Sequence, residues 1–269
     1  MSHVQIRYSV RSPPDELRPW VQCLWTFEAR DLKEVPYEHY VPPDGCVSLL
    51  RNLNPCLSVD PIVIVGPRWE PTLVPIHSGD HYQGIRFWPH AARTLLGTKL
   101  DEMVGKIAPI REMALELANQ IEPQIPDNTS CLANWRGAVL KELTTVLPLG
   151  CSVDPLARIA AESIALTNGQ VVIAEFAKNQ GVSLRQLQRR FSQATGLRLK
   201  QFARICRFRE AAREIIRAEP RPWCQVAMDA GFSDQAHMTR EFVQLIGLAP
   251  KQMQTTYEAI FHESVDPPL

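Results

Sequence analysis

One pattern occurs twice between Ile173 and Met253, and it constrains the fold more than any other feature of the chain. The first copy is Ala177, Gly181, Ser183, Leu187, Phe191, Gly196, and the second is Ala227, Gly231, Ser233, Met238, Phe242, Gly247. The first three offsets match, and the second copy then runs one residue longer. Each copy reads as a short helix, a glycine turn, a serine N-cap and a second helix, which is the sequence form of a helix-turn-helix. Glycine suits the left-handed residue that ends the first helix. Serine caps the second, and in the first copy Gln186 stands three residues after Ser183, in the spacing of a capping box.

The helix after the first turn has two distinct faces. Leu184, Leu187 and Phe191 repeat at helical spacing and predict a buried stripe. Arg185, Gln188, Arg189 and Ser192 lie opposite. Arginine pairs with guanine or phosphate and glutamine with adenine, so this face is equipped to read a major groove. In the second copy Met238, Phe242 and Leu245 form the stripe, with Ser233 expected as N-cap and Asp234 at the positive end of the helix dipole. Gln235, Ala236, His237, Thr239 and Arg240 face away, a set with one fixed cation and a weaker reading capacity.

Residues from about Val153 to Tyr257 resemble the C-terminal DNA-binding domain of the AraC/XylS family of bacterial transcription regulators. The resemblance rests on Ser183-x-x-x-Leu187-Gln188-Arg189-x-Phe191, on Gly231-Phe232-Ser233-Asp234-Gln235 and on Gly247-x-x-Pro250. The sequence departs from the family at Val243 and Gln254, where Lys and Arg are usual. The resemblance implies an all-α domain with two helix-turn-helix units on one connecting helix. It also implies DNA contacts from Ser183, Arg185, Gln188, Arg189 and Ser192, and from Ser233, Gln235, Ala236, His237 and Arg240. Geometry agrees independently. The segment from Leu197 to Arg217 is helical by pattern, and about 20 residues at 1.5 Å each make a spacer of about 30 Å. Recognition helices in successive grooves sit about 34 Å apart. The spacer carries Lys200, Arg204, Arg207, Arg209 and Arg213, which either meet DNA or merely solvate the helix.

The formal charge of zero on its face argues against a nucleic-acid partner, but it hides an uneven distribution. Residues 151–257 hold 15 Lys and Arg against 9 Asp and Glu, residues 1–150 hold 14 against 17, and residues 258–269 form an acidic tail. A basic module is thus masked by acidic neighbours. Proline divides the chain in the same way: fifteen of 22 lie in residues 1–126, which suits strands and turns there and helices later.

The N-terminal half alternates. Val21, Cys23, Trp25 and Phe27 are expected on one face of a strand over Trp20–Glu28. Further strands are expected at Tyr37–Val41, Cys46–Arg51, Pro61–Val65, Thr72–Pro75 and Tyr82–Trp88, giving a small barrel or sandwich. A short helix is expected over Pro89–Leu96. Amphipathic helices are expected over Pro109–Ile121 and Leu132–Leu147, their stripes being either core or a dimer seam. The first 110 residues resemble the cupin-like sensing domains of the same family, through Val41-Pro42-Pro43-Asp44-Gly45-Cys46 and Gly84-Ile85-Arg86-Phe87-x-Pro89. The architecture expected is therefore multidomain: a β-rich cupin-like barrel (1–108), linker or dimerisation helices (109–150), a double helix-turn-helix domain (151–257) and the acidic tail (258–269).

Arg86, opposite in phase to Ile85 and Phe87, is a candidate contact for an anionic effector beside Tyr82 and Trp88, with a structural salt bridge as the alternative. His77, His81 and His90 lack the His-x-His of metal-binding cupins, so no metal or other cofactor is expected. The seven cysteines are odd in number and include no Cys-x-x-Cys, which points to a reducing cytoplasm. The N-terminus reads as neither a signal nor a transit peptide, and no apolar run reaches membrane-spanning length.

No phosphate loop, nucleophile elbow or paired carboxylate motif points to catalysis. The function expected is a cytoplasmic, effector-responsive transcription activator, not an enzyme. Its expected partners are double-stranded DNA, a small-molecule effector, RNA polymerase and a second copy of the chain. The alternatives are a metal-dependent cupin-type enzyme fused to a DNA-binding domain, and a constitutive DNA-binding protein whose N-terminal domain only dimerises.

Overall fold

A computed structural model of the chain describes residues 5–30, 32, 36–53, 62–97, 99–124, 134–146, 153–217 and 221–260. Its strands are β1 (Gln5–Arg11), β2 (Val21–Arg30), β3 (Tyr37–Val41), β4 (Val47–Asn52), β5 (Val63–Val65), β6 (Thr72–Ile76), β7 (His81–Phe87) and β8 (Ile107–Pro109). Six of them form an antiparallel sheet in the order β1-β2-β7-β4-β5-β8, and β3 pairs with β6 as a two-stranded ribbon. The N-terminal domain is thus β-rich as expected, with its strands in an open sheet and a ribbon rather than in one ring. Edge strands β1 and β8 escape the sequence pattern, because β1 carries arginines on its exposed face and β8 is only three residues long.

The sheet is covered on both faces. Val47, Leu49, Ile85 and Phe87 point to one side and pack with α1 (Ala92–Leu96), α2 (Ile110–Met113), α3 (Leu115–Ile121) and α4 (Trp135–Val146). The residues opposite in phase, among them Tyr8, Cys23, Trp25, Phe27, Tyr82 and Arg86, look the other way. One strand departs from simple alternation. A β-bulge between Val21 and Cys23 shifts the register, so Val21 lies opposite Phe87 on the α1–α4 side and does not share a face with Cys23, Trp25 and Phe27. Gly84 is required where it stands. It faces Trp25, and a Cβ there would lie 2.1 Å from the indole.

The expected helix over Pro109–Ile121 is two helices, broken at Ala114, which adopts φ −148°. The apolar stripes on these segments belong to the core. Ile110, Leu117, Ile121, Trp135, Val139 and Leu143 are all buried against the sheet. Residues 110–121 and 135–146 thus pack as a layer on the sheet of the N-terminal domain, with these stripe residues buried in its core. The expected boundary at 148–150 lies outside the described residues, as do Cys56, Cys131, Cys151 and residues 261–269 of the tail.

The remainder is helical: α5 (Pro155–Leu166), α6 (Ile173–Asn179), α7 (Leu184–Thr195), α8 (Leu199–Ile216), α9 (Trp223–Asp229), α10 (Gln235–Ile246) and α11 (Pro250–Ile260). Its core is built on α8, where Phe202, Ile205, Phe208, Ala212 and Ile215 are buried; Phe208 meets Phe242 edge-on at 4.8 Å. This core does not stop at the domain edge. Ile6, Tyr8, Phe27, Ala29 and Ile76 of the strands belong to the same continuous apolar cluster. Gly45 sits against Phe202 and Leu197, and the Gly196 turn against the Leu100 carbonyl. At the end of α7, Arg93 donates to the Gln193 carbonyl at 3.3 Å.

Candidate nucleic-acid interface

Each half of the repeat folds as a helix, a tight turn and a second helix, for reasons local to its residues. Ala177 is buried where α6 meets α7, and Ala227 where α9 meets α10. Gly181 (φ 65°) and Gly231 (φ 80°) take the left-handed conformation that reverses the chain. Gly196 and Gly247, also left-handed, end α7 and α10. Ser183 caps α7 by accepting the Gln186 N–H at 3.2 Å. In the second unit the cap is Asp234 rather than Ser233: its Oδ1 accepts the His237 N–H at 2.6 Å. The carboxylate makes the stronger, charge-assisted cap, and Ser233 falls one residue outside the helix, its hydroxyl bonded to Asp234.

The α7 stripe is narrower than expected. Leu187 and Phe191 are fully buried, but Leu184, in the first turn, is 41% exposed. On the opposite side Ser183, Arg185, Gln188 and Arg189 are exposed and Ser192 is half-buried. In the second unit Met238, Phe242 and Leu245 are buried, Ser233, Gln235, Ala236 and Arg240 are exposed, and His237 is half-buried. The predicted contact residues thus fall on two outward faces of two helices that share one spacer. With 18 residues, α8 spans about 27 Å.

What separates these side chains from the other cations is how the charges are used. The side chains of Arg185, Gln188 and Arg189 make no hydrogen bond or ion pair with any described residue. Most other arginines of the domain are committed. Arg190 pairs with Asp154, Arg204 with Glu241, Arg213 with Glu210, Arg217 with Glu214, and Arg221 with both Glu214 and Asp229. Arg207 lies 5.9 Å from the Phe232 ring centre and donates to the Gly231 carbonyl. Arg204 and Arg207 of the spacer therefore tie it to the second unit, while Arg213 pairs within its own helix. A guanidinium already paired cannot gain the full energy of a phosphate or base contact; an unpaired one can.

The effector candidates separate in space. Tyr82 and Arg86 share a sheet face, but Trp88 lies beyond the end of β7, donating to the Arg18 carbonyl at 2.9 Å and stacking on His90. Arg86 is committed to a salt bridge: its Nε lies 2.9 Å from Asp44 Oδ2, with 13% and 22% of the two side chains exposed. Burial opposes the Arg86 charge, but the Asp44 carboxylate outweighs it and holds the guanidinium firmly protonated. Asp44 also accepts the Cys46 N–H, which fixes the loop before β4. Nothing in the sequence distinguished Asp44 as the partner, because the pair forms only when the loop folds back over β7.

The histidines do not converge. His77 and His81 approach different carboxylates, Asp80 and Glu28, and burial draws His90 down to about 4. Among the described residues no group of three or more His, Cys, Asp or Glu side chains is placed to hold a metal ion. Nor is any described helix long and apolar enough to cross a membrane.

Residues 176–256 match the family described as a helix-turn-helix domain, and residues 9–109 match a domain of unknown function. No curated protein matches the chain. Among solved structures, the C-terminal domain of AraT, a response regulator from Geobacillus stearothermophilus, is 22% identical over 38% of this chain and 86% of that one, with a TM-score of 0.36. The DNA-binding domain of the transcriptional factor AdpA, in complex with a target DNA, is 25% identical over 39% and 95%, with a TM-score of 0.35. ToxT from Vibrio cholerae is 10% identical over 94% and 99%, with a TM-score of 0.43.

Proposed function

We propose that this chain, a transcription regulator whose residues 176–256 form an AraC-type helix-turn-helix DNA-binding domain, is a cytoplasmic, effector-responsive activator and not an enzyme. The single observation that carries the DNA-reading half of the proposal is the unpaired Arg185, Gln188, Arg189 face of α7, in a domain where most other arginines are tied to carboxylates. On this reading α7 supplies base contacts from Arg185, Gln188 and Arg189, with Ser183 and Ser192 at the backbone. The second unit adds Ser233, Gln235, Ala236 and Arg240, mostly as positioning contacts. The two helices enter successive major grooves, held apart by α8.

Effector responsiveness is supported by the continuous core. Residues of β1, β2 and β6 pack in one cluster with α7, α8 and α10, so a ligand that favours one arrangement of the sheet acts directly on the reading helices. Such a ligand shifts the equilibrium only by its difference in affinity for the two arrangements. The partners on this reading are promoter DNA, a small-molecule effector, RNA polymerase and a second copy of the chain. Selection of binding sites from random-sequence DNA with the full chain tests the proposal. A motif with two half-sites about one helical turn apart is the expected result, and recovery of no common sequence would rule out sequence-specific regulation. Selection repeated with metabolite pools tests the effector: affinity that never changes favours a constitutive DNA-binding protein.

A further inference from the structure

We propose that His237 is a positioning residue for the second recognition helix, and that its ring nitrogen Nδ1 acts inside the protein instead of touching DNA. The inference rests on the DNA-reading role of α10 and goes beyond it by reassigning one of its predicted contacts. His237 occupies the third position of α10, and two bonds tie it to the two residues before the helix. Its backbone N–H donates to Asp234 Oδ1 at 2.6 Å. Its Nδ1 accepts the backbone N–H of Ser233 at 3.3 Å and lies 3.1 Å from the Ser233 hydroxyl. This is the logic of a capping box, with the returning bond displaced outward by one residue. The first recognition helix shows no such return bond from Gln186, which holds the same position in α7.

Receiving an N–H fixes Nδ1 as an acceptor, so the neutral ring carries its proton on Nε2. That nitrogen lies 4.0 Å from Glu241 Oε1, and the other oxygen of Glu241 is held by Arg204 Nε at 2.7 Å. The ring also meets Phe232 edge-on at 5.5 Å with planes at 88°. His237 is therefore gripped by the turn behind it, by Phe232 and, through Glu241, by the spacer helix. The residues it orients are the two between it and the cap, Gln235 and Ala236, which open α10 on its exposed face. Without the Nδ1 acceptor the Ser233 N–H loses its partner, and the first turn of α10 is free to fray.

The experiment uses the full chain, its selected DNA site, and the variants His237→Ala and His237→Asn. The asparagine amide oxygen reaches about as far as Nδ1 and accepts an N–H as well. His237→Ala is expected to reduce base discrimination in the second half-site by about fivefold, the effect of losing a helix cap, and to leave the first half-site unchanged. His237→Asn is expected to restore discrimination, and all three proteins should share one salt dependence. In the DNA-free protein the imidazole 15N shifts should report the Nε2–H tautomer. The proposal is overturned if His237→Asn is as impaired as alanine and loses about one phosphate contact from the salt slope. Equally fatal would be an Nδ1–H tautomer, or an alanine variant with wild-type discrimination. A wild-type chain that selects no sequence would sink the functional reading instead, and the tautomer, measured without DNA, would still decide this one.

Discussion

Arg190 and Asp154 form a two-pronged ion pair: Nε donates to Oδ2 at 2.8 Å and Nη2 to Oδ1 at 2.7 Å. The residues are 36 positions apart, and the bond joins the flank of the first recognition helix to the N-terminus of α5. Asp154 also caps α5, accepting the Ala157 N–H at 2.9 Å. Arg204 and Glu241 do the same for the second unit, joining α8 to α10. Each recognition helix is thus oriented by one arginine–carboxylate bond, while the neighbouring Arg189 is left open.

The Asp154 pair gives stability a pH dependence of defined sign. Burial alone would raise the Asp154 pKa, but the Arg190 guanidinium and the Ala157 N–H outweigh it and hold the carboxyl below its ordinary value. A depressed pKa stabilises the fold above the unfolded-state value of about 3.9 and ceases to do so as pH falls through the folded one. Asp154→Ala is expected to cost about 1 kcal/mol at pH 7, mainly as a lost cap, since the pair is partly solvated. Urea midpoints at pH 7 and pH 2.5 should show the gap between the proteins shrinking in acid.

Base reading by α7 predicts a separation of effects. Arg185→Ala and Gln188→Ala are each expected to weaken preference for one base by about 1–3 kcal/mol without altering thermal stability. Arg204→Ala, which breaks the bond between α8 and α10, should instead weaken the second half-site. Competition binding against single-base variants of the selected site distinguishes them, and unchanged preference in both α7 variants would mean that another face reads DNA.

Two left-handed glycines isolate the contribution of the domain seam. A methyl at Gly181 would meet nothing within 4 Å, so Gly181→Ala is expected to cost only the backbone strain, about 1 kcal/mol. A methyl at Gly196 would lie 2.7 Å from the Leu100 carbonyl oxygen. Gly196→Ala should therefore cost about 2–3 kcal/mol, strain plus the displaced seam. Chemical denaturation of both variants measures the difference, and equal costs would show that the seam yields freely.

The Asp44–Arg86 pair predicts non-additivity. Asp44→Ala leaves the Arg86 charge largely buried and uncompensated, and is expected to cost about 3 kcal/mol. Adding Arg86→Met to that variant should recover most of the loss, because the unpaired charge is gone. A double-mutant cycle read by urea unfolding tests this; independent, additive losses would mean that the two side chains are not coupled.

Several elements were legible because their causes lie within a few residues. β3 spans Tyr37–Val41, the range expected for it from its residue types and flanking breakers. The glycine turns and the outward placement of Arg185, Gln188 and Arg189 follow from the same local rules. Errors arose where the decisive neighbour was remote or where two local solutions compete. Ser233 and Asp234 are both good caps, and the backbone that puts Asp234 in the capping position was not readable from composition. The Val21 bulge is set by register with β7, not by β2 itself.

The sequence alone determined that this chain carries two helix-turn-helix units on a helical spacer, because helix period, caps and left-handed glycines are encoded locally. It could not determine what the apolar stripes of α2–α4 cover, since a stripe that packs on a sheet and one that packs on a second copy look the same in sequence. Tertiary structure also decided which arginines are free. Arg189 and Arg190 are chemically identical neighbours, and only the arrival of Asp154 from 36 residues away makes one a strut and leaves the other exposed.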